Sequence, residues 1–366
     1  MSGLPRMASH ELLDVPSGAP DDLAAFERLE KLHGIEWPLI RRARANTRDL
    51  FSRIASLGLP ESLSTSLVAF GSAGRLEFTS ESDLDWSVLV DGPADPEHVT
   101  LLARVREALR DVAAEPGPIF GALVSSHELI HHIGGFHDTN LNLTIRMLLL
   151  LESRSLNNSV VYERVMRMIF ARYITFSASV AWKQRPRRVV PRFLLNDVVR
   201  YWRTITVDYA AKRWEQGEWK WSLRNAKLRM SRKMLFLAGL ILCLKFELDH
   251  PREREEFVKD LRTFPDRFAG FLFNETSKSP IDALSEVLLR YPAAAAHSLL
   301  DPYDEFLAIL DDHDKRLELE QLRFDDAENS VVFTRIRQLG DAFHQAVVSL
   351  FFNDDFRPMM ADYGVF

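Results

Sequence analysis

Cysteine and long apolar runs are scarce in this sequence. Only Cys243 among the 366 residues is a cysteine, which excludes a disulfide framework and a four-cysteine zinc site. The longest apolar run, residues 234–244, has about half of the roughly 20 residues that a membrane-spanning helix needs. Since no apolar segment follows a basic start, we expect no secretory leader. These absences predict a cytoplasmic protein that does not itself insert into a membrane.

Acidic residues outnumber basic ones, 52 to 46, so the formal net charge is -6, but the basic residues are concentrated in one region. Residues 183–233 contain 15 Lys and Arg against 4 Asp and Glu, whereas residues 249–366 contain 13 against 24. A basic surface on an acidic protein favours phosphate-bearing ligands over bulk duplex DNA. The alternative is a basic helix surface that only faces solvent.

Hydrophobic residues make up 46% of the chain, enough for the core of one large or two medium domains. The periodicity predicts one or two helices over residues 20–57, with a break near Trp37-Pro38. Strands are predicted over 67–70 and 84–90. A helix over 96–114, begun by Asp95, and a third strand over 119–125 follow. From Leu141 onward the pattern is helical almost throughout. An α/β unit followed by a helical domain is the simplest architecture.

Residues 67–90, LVAFGSAGRLEFTSESDLDWSVLV, combine a glycine-serine turn with two aspartates. Asp83 and Asp85 stand two residues apart on a strand, so both side chains should project from the same face. Such a pair suits Mg²⁺, and two such ions can activate an attacking hydroxyl and stabilise a pyrophosphate leaving group. Gly71 allows the backbone to approach a ligand, and Ser72 offers a hydroxyl and an amide to phosphate oxygens. The alternative is a surface turn before an ordinary strand.

Within this stretch, GSAGRLEFTSESDLD resembles the signature of the DNA polymerase β-type nucleotidyltransferase superfamily. The resemblance implies a fold of the α/β plus α class. A polymerase β-like catalytic domain, with N-terminal helices and a small mixed sheet, would span residues 1–160. A helical nucleotide- and substrate-binding domain with a C-terminal tail would span residues 161–366.

The resemblance also assigns residues at matching positions: Gly71 and Ser72 to the nucleotide phosphates, and Asp83 and Asp85 to two Mg²⁺ ions, for which Mn²⁺ can substitute. Arg75 matches a subset of the superfamily and either helps to bind the nucleotide or, with Glu77, only braces the loop. A third catalytic carboxylate is expected on a later strand. Spacing does not identify it, and Asp138 is our preferred candidate.

A second motif, HELIHHIGGFH, fits the pattern of metzincin zinc peptidases. His127, His131 and His137 would bind zinc, Glu128 would be the base, and Gly134 would turn the chain toward the third ligand. A metzincin also needs a sheet-bearing subdomain upstream and a methionine-containing turn downstream. Upstream this chain has the nucleotidyltransferase pattern, and downstream its methionines lie in helical runs. Partly exposed histidines without a metal are therefore the favoured interpretation.

The basic segment supplies candidate phosphate ligands. Lys220, Arg224 and Lys227 recur at i, i+4 and i+7, on one helical face. In the resembling family such a face contributes basic residues to the β- and γ-phosphates of the nucleotide. Further candidates in this region are Asn196, Arg200 and Arg203, and the tryptophans Trp202, Trp214, Trp219 and Trp221, which could stack a base or simply be buried.

The superfamily contains signal-nucleotide synthases, template-free polymerases, protein-modifying enzymes and toxin-like transferases. The size, the helical second half and the tail FRPMMADYGVF are similar to the nucleotidyltransferases of Hailong-type anti-phage defence systems. This similarity implies synthesis of short single-stranded DNA oligomers from deoxynucleoside triphosphates, as a signal for a partner membrane effector. The alternatives are nucleotidyl transfer onto RNA or protein, a catalytically inactive nucleotide-binding regulator and a zinc peptidase.

Template-free synthesis without a nucleic-acid primer needs a hydroxyl to attack the first nucleotide. A tyrosine phenol can serve as that nucleophile. Tyr363 is a candidate protein primer, because Pro358 and Gly364 discourage helix in the tail around it. The alternative is a tyrosine that packs on the surface.

Overall fold

The computed structural model describes residues 24–113, 117, 119–181, 188–216, 220–252 and 263–364. These residues are mostly helical and contain a four-stranded mixed sheet. In chain order the elements are α1 (Ala25–His33), α2 (Pro38–Ser56), β1 (Thr65–Phe70), α3 (Gly71–Gly74), β2 (Asp85–Val90), α4 (Glu97–Leu109), β3 (Leu123–Ser125), α5 (Ser126–His131), α6 (Asn140–Leu151), β4 (Arg154–Ser155), α7 (Ser159–Ala181), α8 (Arg192–Gln216), α9 (Trp221–Arg229), α10 (Ser231–Asp249), α11 (Phe264–Thr276), α12 (Pro280–Leu288), α13 (Ala293–Asp311), α14 (His313–Gln321), α15 (Val331–Phe351) and α16 (Arg357–Met359). A 3₁₀ turn at Phe324–Asp326 and a π-helical turn at Met360–Gly364 complete this set.

The chain divides into two compact units whose segments alternate along the sequence. The sheet unit comprises Ala43–Tyr201 and Lys245–Ser279, and the helical unit comprises Met1–Arg42, Trp202–Leu244 and Pro280–Phe366. This differs from the predicted single boundary at residue 160. Three of the four boundaries fall inside α2, α8 and α10, which show no break in periodicity for a sequence analysis to detect, and the fourth falls between α11 and α12.

The sheet has the order β3-β2-β1-β4. Strand β2 runs antiparallel to β1, with Phe70 opposite Asp85, and parallel to β3, with Val90 opposite Ser125. Strand β4 is antiparallel to β1. Because β1 and β2 are joined through α3, the end of β1 and the start of β2 lie side by side, which brings the glycine-serine turn next to the aspartates.

Alternating residues of β2 bury one face of the sheet in an apolar core. Leu84, Trp86 and Val88 are each 2% exposed or less, and they pack in one cluster with Val105 and Leu109 of α4. The strand predicted over residues 84–90 is confirmed as β2, and its burial is continuous, since every residue from Trp86 to Val90 is buried. Ser87 and Leu89 are buried as well, outside this cluster, whereas Asp83 is exposed and Asp85 is half-buried.

Two predicted helix boundaries are confirmed and have clear causes. Helix α1 ends at Gly34, whose φ of 65° lies in the left-handed region, and α2 begins at Pro38. Both the Leu39 and Ile40 amides donate to Asp304 Oδ1 over 2.9 Å, so this carboxylate caps the start of α2. At the start of α4 the Glu97 amide donates to Asp95 Oδ1 over 2.8 Å.

Three local predictions are wrong or incomplete. The third strand covers only Leu123–Ser125 of the predicted 119–125. The two-residue strand β4 was not predicted, because two residues show no periodicity. The tail around Tyr363 is helical over Arg357–Gly364, despite Pro358 and Gly364. Proline is tolerated there because it occupies the first turn of the helix, where its missing N–H has no intrahelical acceptor.

Across the described ranges, every helix is too short or too polar to cross a lipid bilayer.

Candidate active site

The junction of β1 and α3 places a glycine directly against a carboxylate. Gly71 follows the last residue of β1 and has φ +63°, a left-handed conformation that a side chain makes costly. A Cβ built on Gly71 would lie 2.5 Å from Asp85 Oδ2, far inside contact distance. Both the backbone conformation and the space at this position therefore require glycine. Ser72 follows it and is half-buried.

Asp83 and Asp85 flank a buried residue at the start of β2. Leu84 is fully buried, and its amide donates to the Val112 carbonyl over 2.9 Å, which holds this segment extended. Asp83 is exposed and Asp85 is half-buried. That both side chains project from the same face stays a prediction, because Asp83 lies before the first residue of β2. A surface turn before an ordinary strand would not require this close packing of Gly71 on Asp85.

Arg75 is committed to a buried ion pair. Its side chain is 8% exposed and contacts two carboxylates, Glu77 at 2.8 Å and Glu152. The intervening Leu76 has φ 62°, an uncommon conformation for a side-chain-bearing residue, and it lets Arg75 and Glu77 meet across the turn. These contacts favour the bracing role of Arg75 over the predicted role in nucleotide binding.

Asp138 does not occupy the predicted strand position. It lies in the segment before α6, with its side chain 3% exposed, and both of its oxygens accept hydrogen bonds from Arg146 at 3.0 and 2.9 Å. The prediction of a strand carboxylate at Asp138 is therefore wrong. Strand β3, which lies beside β2, consists of Leu123–Ser125 and carries no carboxylate.

The Arg146 side chain, fully buried, organises a network that sequence reasoning missed. Besides Asp138, it donates to Asp197 Oδ2 over 3.0 Å and to the Tyr173 hydroxyl over 2.6 Å, and Tyr173 in turn donates to Asp197. Burial alone would lower the pKa of Arg146, yet Tyr173, Asp138 and Asp197 together raise it above its ordinary value. An arginine within the apolar run TIRMLLLL is the one sequence signal of this network.

The histidines of the second motif are at the surface. His127, His131 and His137 are exposed. His127 and His131 are four residues apart on the six-residue helix α5, and their ring centroids are 4.7 Å apart. Within the parts of the chain that the structure describes, no three His, Cys, Asp or Glu side chains are arranged to hold a metal ion. Glu128 is exposed as well, and Gly134, with φ 71°, turns the chain as the motif requires.

The predicted basic face lies on α9 in the helical unit. Lys220 is the residue before this helix and pairs with Glu320 at 3.1 Å, while Arg224 and Lys227 are half-buried. Of the other basic candidates, Arg200 donates to Asn140 Oδ1 over 3.1 Å in the sheet unit, and Arg203 is exposed.

Two of the four candidate tryptophans are packed against other rings. Trp202 stacks on Phe236 with centroids 5.2 Å apart. Trp221 is buried, and its indole N–H donates to the Leu322 carbonyl over 2.6 Å. The side chain of Trp214 and the whole of Trp219 lie outside what the structure describes. For Trp202 and Trp221 these contacts favour packing over base stacking.

The C-terminal segment around Tyr363 is anchored by residues that precede it. Phe356 is fully buried and packs on Phe351, and Met359 is 2% exposed. The Asn353 side chain accepts hydrogen bonds from the Asp355 and Phe356 amides. Tyr363 itself is half-buried in the π-helical turn.

The donor set at β2 fits a hard cation. Mg²⁺ typically takes one or two protein carboxylates and completes its octahedral shell with water and substrate phosphate oxygens. Asp85 lies against Gly71 and is half-buried, and the exposed Asp83 stands two residues before it, so the start of β2 carries two carboxylates. The described chain brings no third carboxylate to them in a metal-binding arrangement.

Comparison with known proteins gives no family. No protein-family model matches the chain, and no curated protein matches it.

Proposed function

We propose that this chain is a metal-dependent nucleotidyltransferase. The observation that carries the proposal is the packing of Gly71 against Asp85, where a Cβ would come within 2.5 Å of the carboxylate. A turn without a side chain lets the backbone approach a phosphate that is held, with its cation, beside a half-buried carboxylate. The resemblance of GSAGRLEFTSESDLD to the polymerase β-type signature supports the same function.

In this proposal Asp83 and Asp85 hold the cation, and the turn at Gly71 and Ser72 receives the phosphates. Mg²⁺ bound there would supply positive charge that polarises the α-phosphate and offsets charge on the leaving pyrophosphate. An acceptor hydroxyl gives its proton to water, and its oxygen forms a new O–P bond at the α-phosphate. The bond from that phosphorus to the α–β bridging oxygen breaks, and pyrophosphate leaves. Arg75 acts only indirectly, since its ion pairs with Glu77 and Glu152 hold the turn in place.

The first test replaces both carboxylates. We expect Asp83→Asn with Asp85→Asn to abolish nucleotidyl transfer while the folded structure survives, because neither side chain is in the apolar core. A matched control is Asp325→Asn with Asp326→Asn, which removes two exposed carboxylates from the helical unit. The assay incubates each variant with labelled nucleoside triphosphates and Mg²⁺, and circular dichroism checks the fold. Full activity in the Asp83/Asp85 variant would overturn the mechanism.

We further propose that the reaction is template-independent synthesis of short single-stranded DNA from deoxynucleoside triphosphates. Support comes from the similarity of chain size and tail to the Hailong-type enzymes. Incubation with each ribo- and deoxynucleoside triphosphate, followed by mass analysis of products, tests this directly. Ladders of DNA oligomers are expected. Label that appears only on added RNA or protein would favour the alternative acceptors and would leave the nucleotidyltransferase class intact.

Tyr363 is our proposed primer for that synthesis. After incubation with the correct nucleotide, intact-mass analysis should show nucleotide units added to the protein, and peptide mapping should locate them at Tyr363. Tyr363→Phe should lose the adducts and slow initiation while still extending a supplied oligonucleotide. Tyr209→Phe, which also removes a phenol from a half-buried position, is the control. Adducts that persist in Tyr363→Phe would exclude this role.

A further inference from the structure

Three basic side chains lie near one carboxylate in the helical unit, at a place to which the proposed function gives no role. Arg229 ends α9, Lys233 lies in the first turn of α10, and Asp341 and His344 are three residues apart on α15. Nη1 of Arg229 lies 2.9 Å from Asp341 Oδ1. Charges on all four residues act on one another, as the pKa shifts of Lys233 and His344 show.

Gly340 determines where the Arg229 side chain lies. A Cβ built on Gly340 would be 3.0 Å from Arg229 Cβ and 3.1 Å from its Cδ. The aliphatic part of Arg229 therefore lies flat on the bare backbone of α15. Its Nε donates to Asn225 Oδ1 over 3.0 Å. Because the aliphatic part and the Nε atom of Arg229 are both fixed by contacts, its guanidinium lies beside Asp341 before any ligand binds.

The positive charge of this cluster exceeds its negative charge. Arg229 uses the carboxylate of Asp341, and in the described chain no carboxylate lies at ion-pair distance from the Lys233 ammonium. Burial, followed by the nearby charge of Arg229, lowers the pKa of Lys233 to about 8. Burial and Lys233 also lower the pKa of His344. Asp341 offsets the lowering at Lys233 only in part, because it is already paired with Arg229, and a bound anion would offset the rest.

We propose that Arg229, Lys233 and His344 form a binding site for a phosphate group. The guanidinium offers paired N–H donors and the ammonium a point charge, which are the two groups that proteins use most for phosphate oxygens. Asp341 is 72% exposed, so the anion competes with it for Arg229 from the solvent side. The phosphate can be free orthophosphate or the terminal phosphate of a nucleotide. The site is independent of the proposed nucleotidyl transfer.

Chemical labelling of lysines tests the site without an activity assay. Trace acetic anhydride acetylates only neutral amines, and peptide mass spectrometry gives the rate at each lysine. We expect orthophosphate to slow acetylation of Lys233, because the bound anion holds the ammonium protonated. Exposed Lys31 on α1 is the internal reference. Equal slowing of Lys233 by sodium chloride at matched ionic strength would show simple screening and overturn the proposal.

Two substitutions are expected to change phosphate affinity in opposite directions. Calorimetry with orthophosphate should show an affinity loss of about tenfold or more for Lys233→Met, which keeps most of the side-chain volume. Asp341→Asn should bind phosphate more tightly than the wild type, because the competing carboxylate is gone. A misfolded variant cannot produce that gain. Unchanged phosphate affinity in both variants would refute the site.

A last experiment distinguishes free orthophosphate from the terminal phosphate of a nucleotide. Orthophosphate, pyrophosphate and a nucleoside triphosphate are titrated separately into the wild type and into the Asp83→Asn, Asp85→Asn variant. Binding of orthophosphate alone that is retained in this variant supports a site for the free anion. Triphosphate binding that is retained there and lost in Lys233→Met supports a nucleotide terminal phosphate. Absence of binding by all three probes would overturn the proposal.

Discussion

At the scale of single residues, Gly71 determines the geometry of the candidate site. Other glycines share its left-handed backbone but not its surroundings. Gly58 has φ +58° with no atom within 4 Å of a built Cβ, whereas Gly71 faces Asp85. Substitutions at the two positions therefore separate the free-energy cost of a left-handed backbone conformation from the cost of steric overlap with Asp85.

We predict different outcomes for alanine at these two glycines. Gly58→Ala should lower the free energy of unfolding by about 1 kcal/mol, the cost of a side chain in a left-handed conformation. Gly71→Ala should cost more and weaken nucleotide binding, because its Cβ displaces the Asp85 carboxylate. Urea denaturation and nucleotide titration measure both effects. Equal stability losses with unchanged nucleotide affinity would contradict the close-packing argument.

The carboxylates show what residue-level reasoning can achieve. Asp83 and Asp85 could be selected from their spacing on a strand, because the period of two is a local property. Asp138 could not be placed, because its position depends on the buried Arg146, which only the tertiary fold brings to it. The same holds for Arg75, whose two partners lie 2 and 77 residues away.

At the scale of elements, the turn after β1 is clamped to the end of α6. A Cβ on Gly74 would lie 2.0 Å from the Glu152 carbonyl oxygen, so the backbones of α3 and of the residue after α6 are in close contact. The Arg75–Glu152 ion pair joins the same two segments. Strand β4 begins two residues later and pairs with β1. This contact explains why a two-residue strand persists.

We predict that Arg75→Met destabilises the sheet unit strongly. Loss of the guanidinium leaves Glu77 and Glu152 buried together, and breaking a buried pair in this way typically costs about 3–5 kcal/mol. Arg110→Met, which breaks an exposed pair with Glu107 on α4, should cost less than about 1 kcal/mol. Thermal or chemical unfolding measures both. A small loss for Arg75→Met would mean that the pair contributes little to the fold.

At the scale of the whole molecule, the basic segment of the sequence does not coincide with either of the two compact units. The basic region 183–233 contributes residues to both units, since the division falls at Tyr201 and Trp202. Part of its charge is already neutralised in the fold, as at Lys220 with Glu320. The count of basic residues in the sequence therefore overstates the charge available to a ligand.

We predict that the α9 face still contributes to nucleotide binding. Neutralising Lys220, Arg224 and Lys227 to Gln should weaken nucleotide affinity and make its dependence on salt concentration shallower, because fewer cations contact the phosphates. Arg28→Gln with Lys31→Gln removes basic charge from α1 and is the control. Affinity is measured by titration over a series of salt concentrations. Unchanged affinity at low salt would show that the α9 face is merely solvated.

Residues close in the chain were enough to predict helix over residues 20–57 with its break, the start of the helix after Asp95, strands β1 and β2, and the glycine and aspartates of the candidate site. The tertiary structure alone decided the two units, strand β4, the burial of Arg75 and Arg146 and the cluster at Lys233. The β1–β4 pairing and the Arg75–Glu152, Arg146–Asp197 and Arg229–Asp341 pairs join residues far apart in sequence, and burial and charge in three dimensions select them. Local periodicity carries no information about that selection, which is why these long-range pairs could be found only in the folded chain.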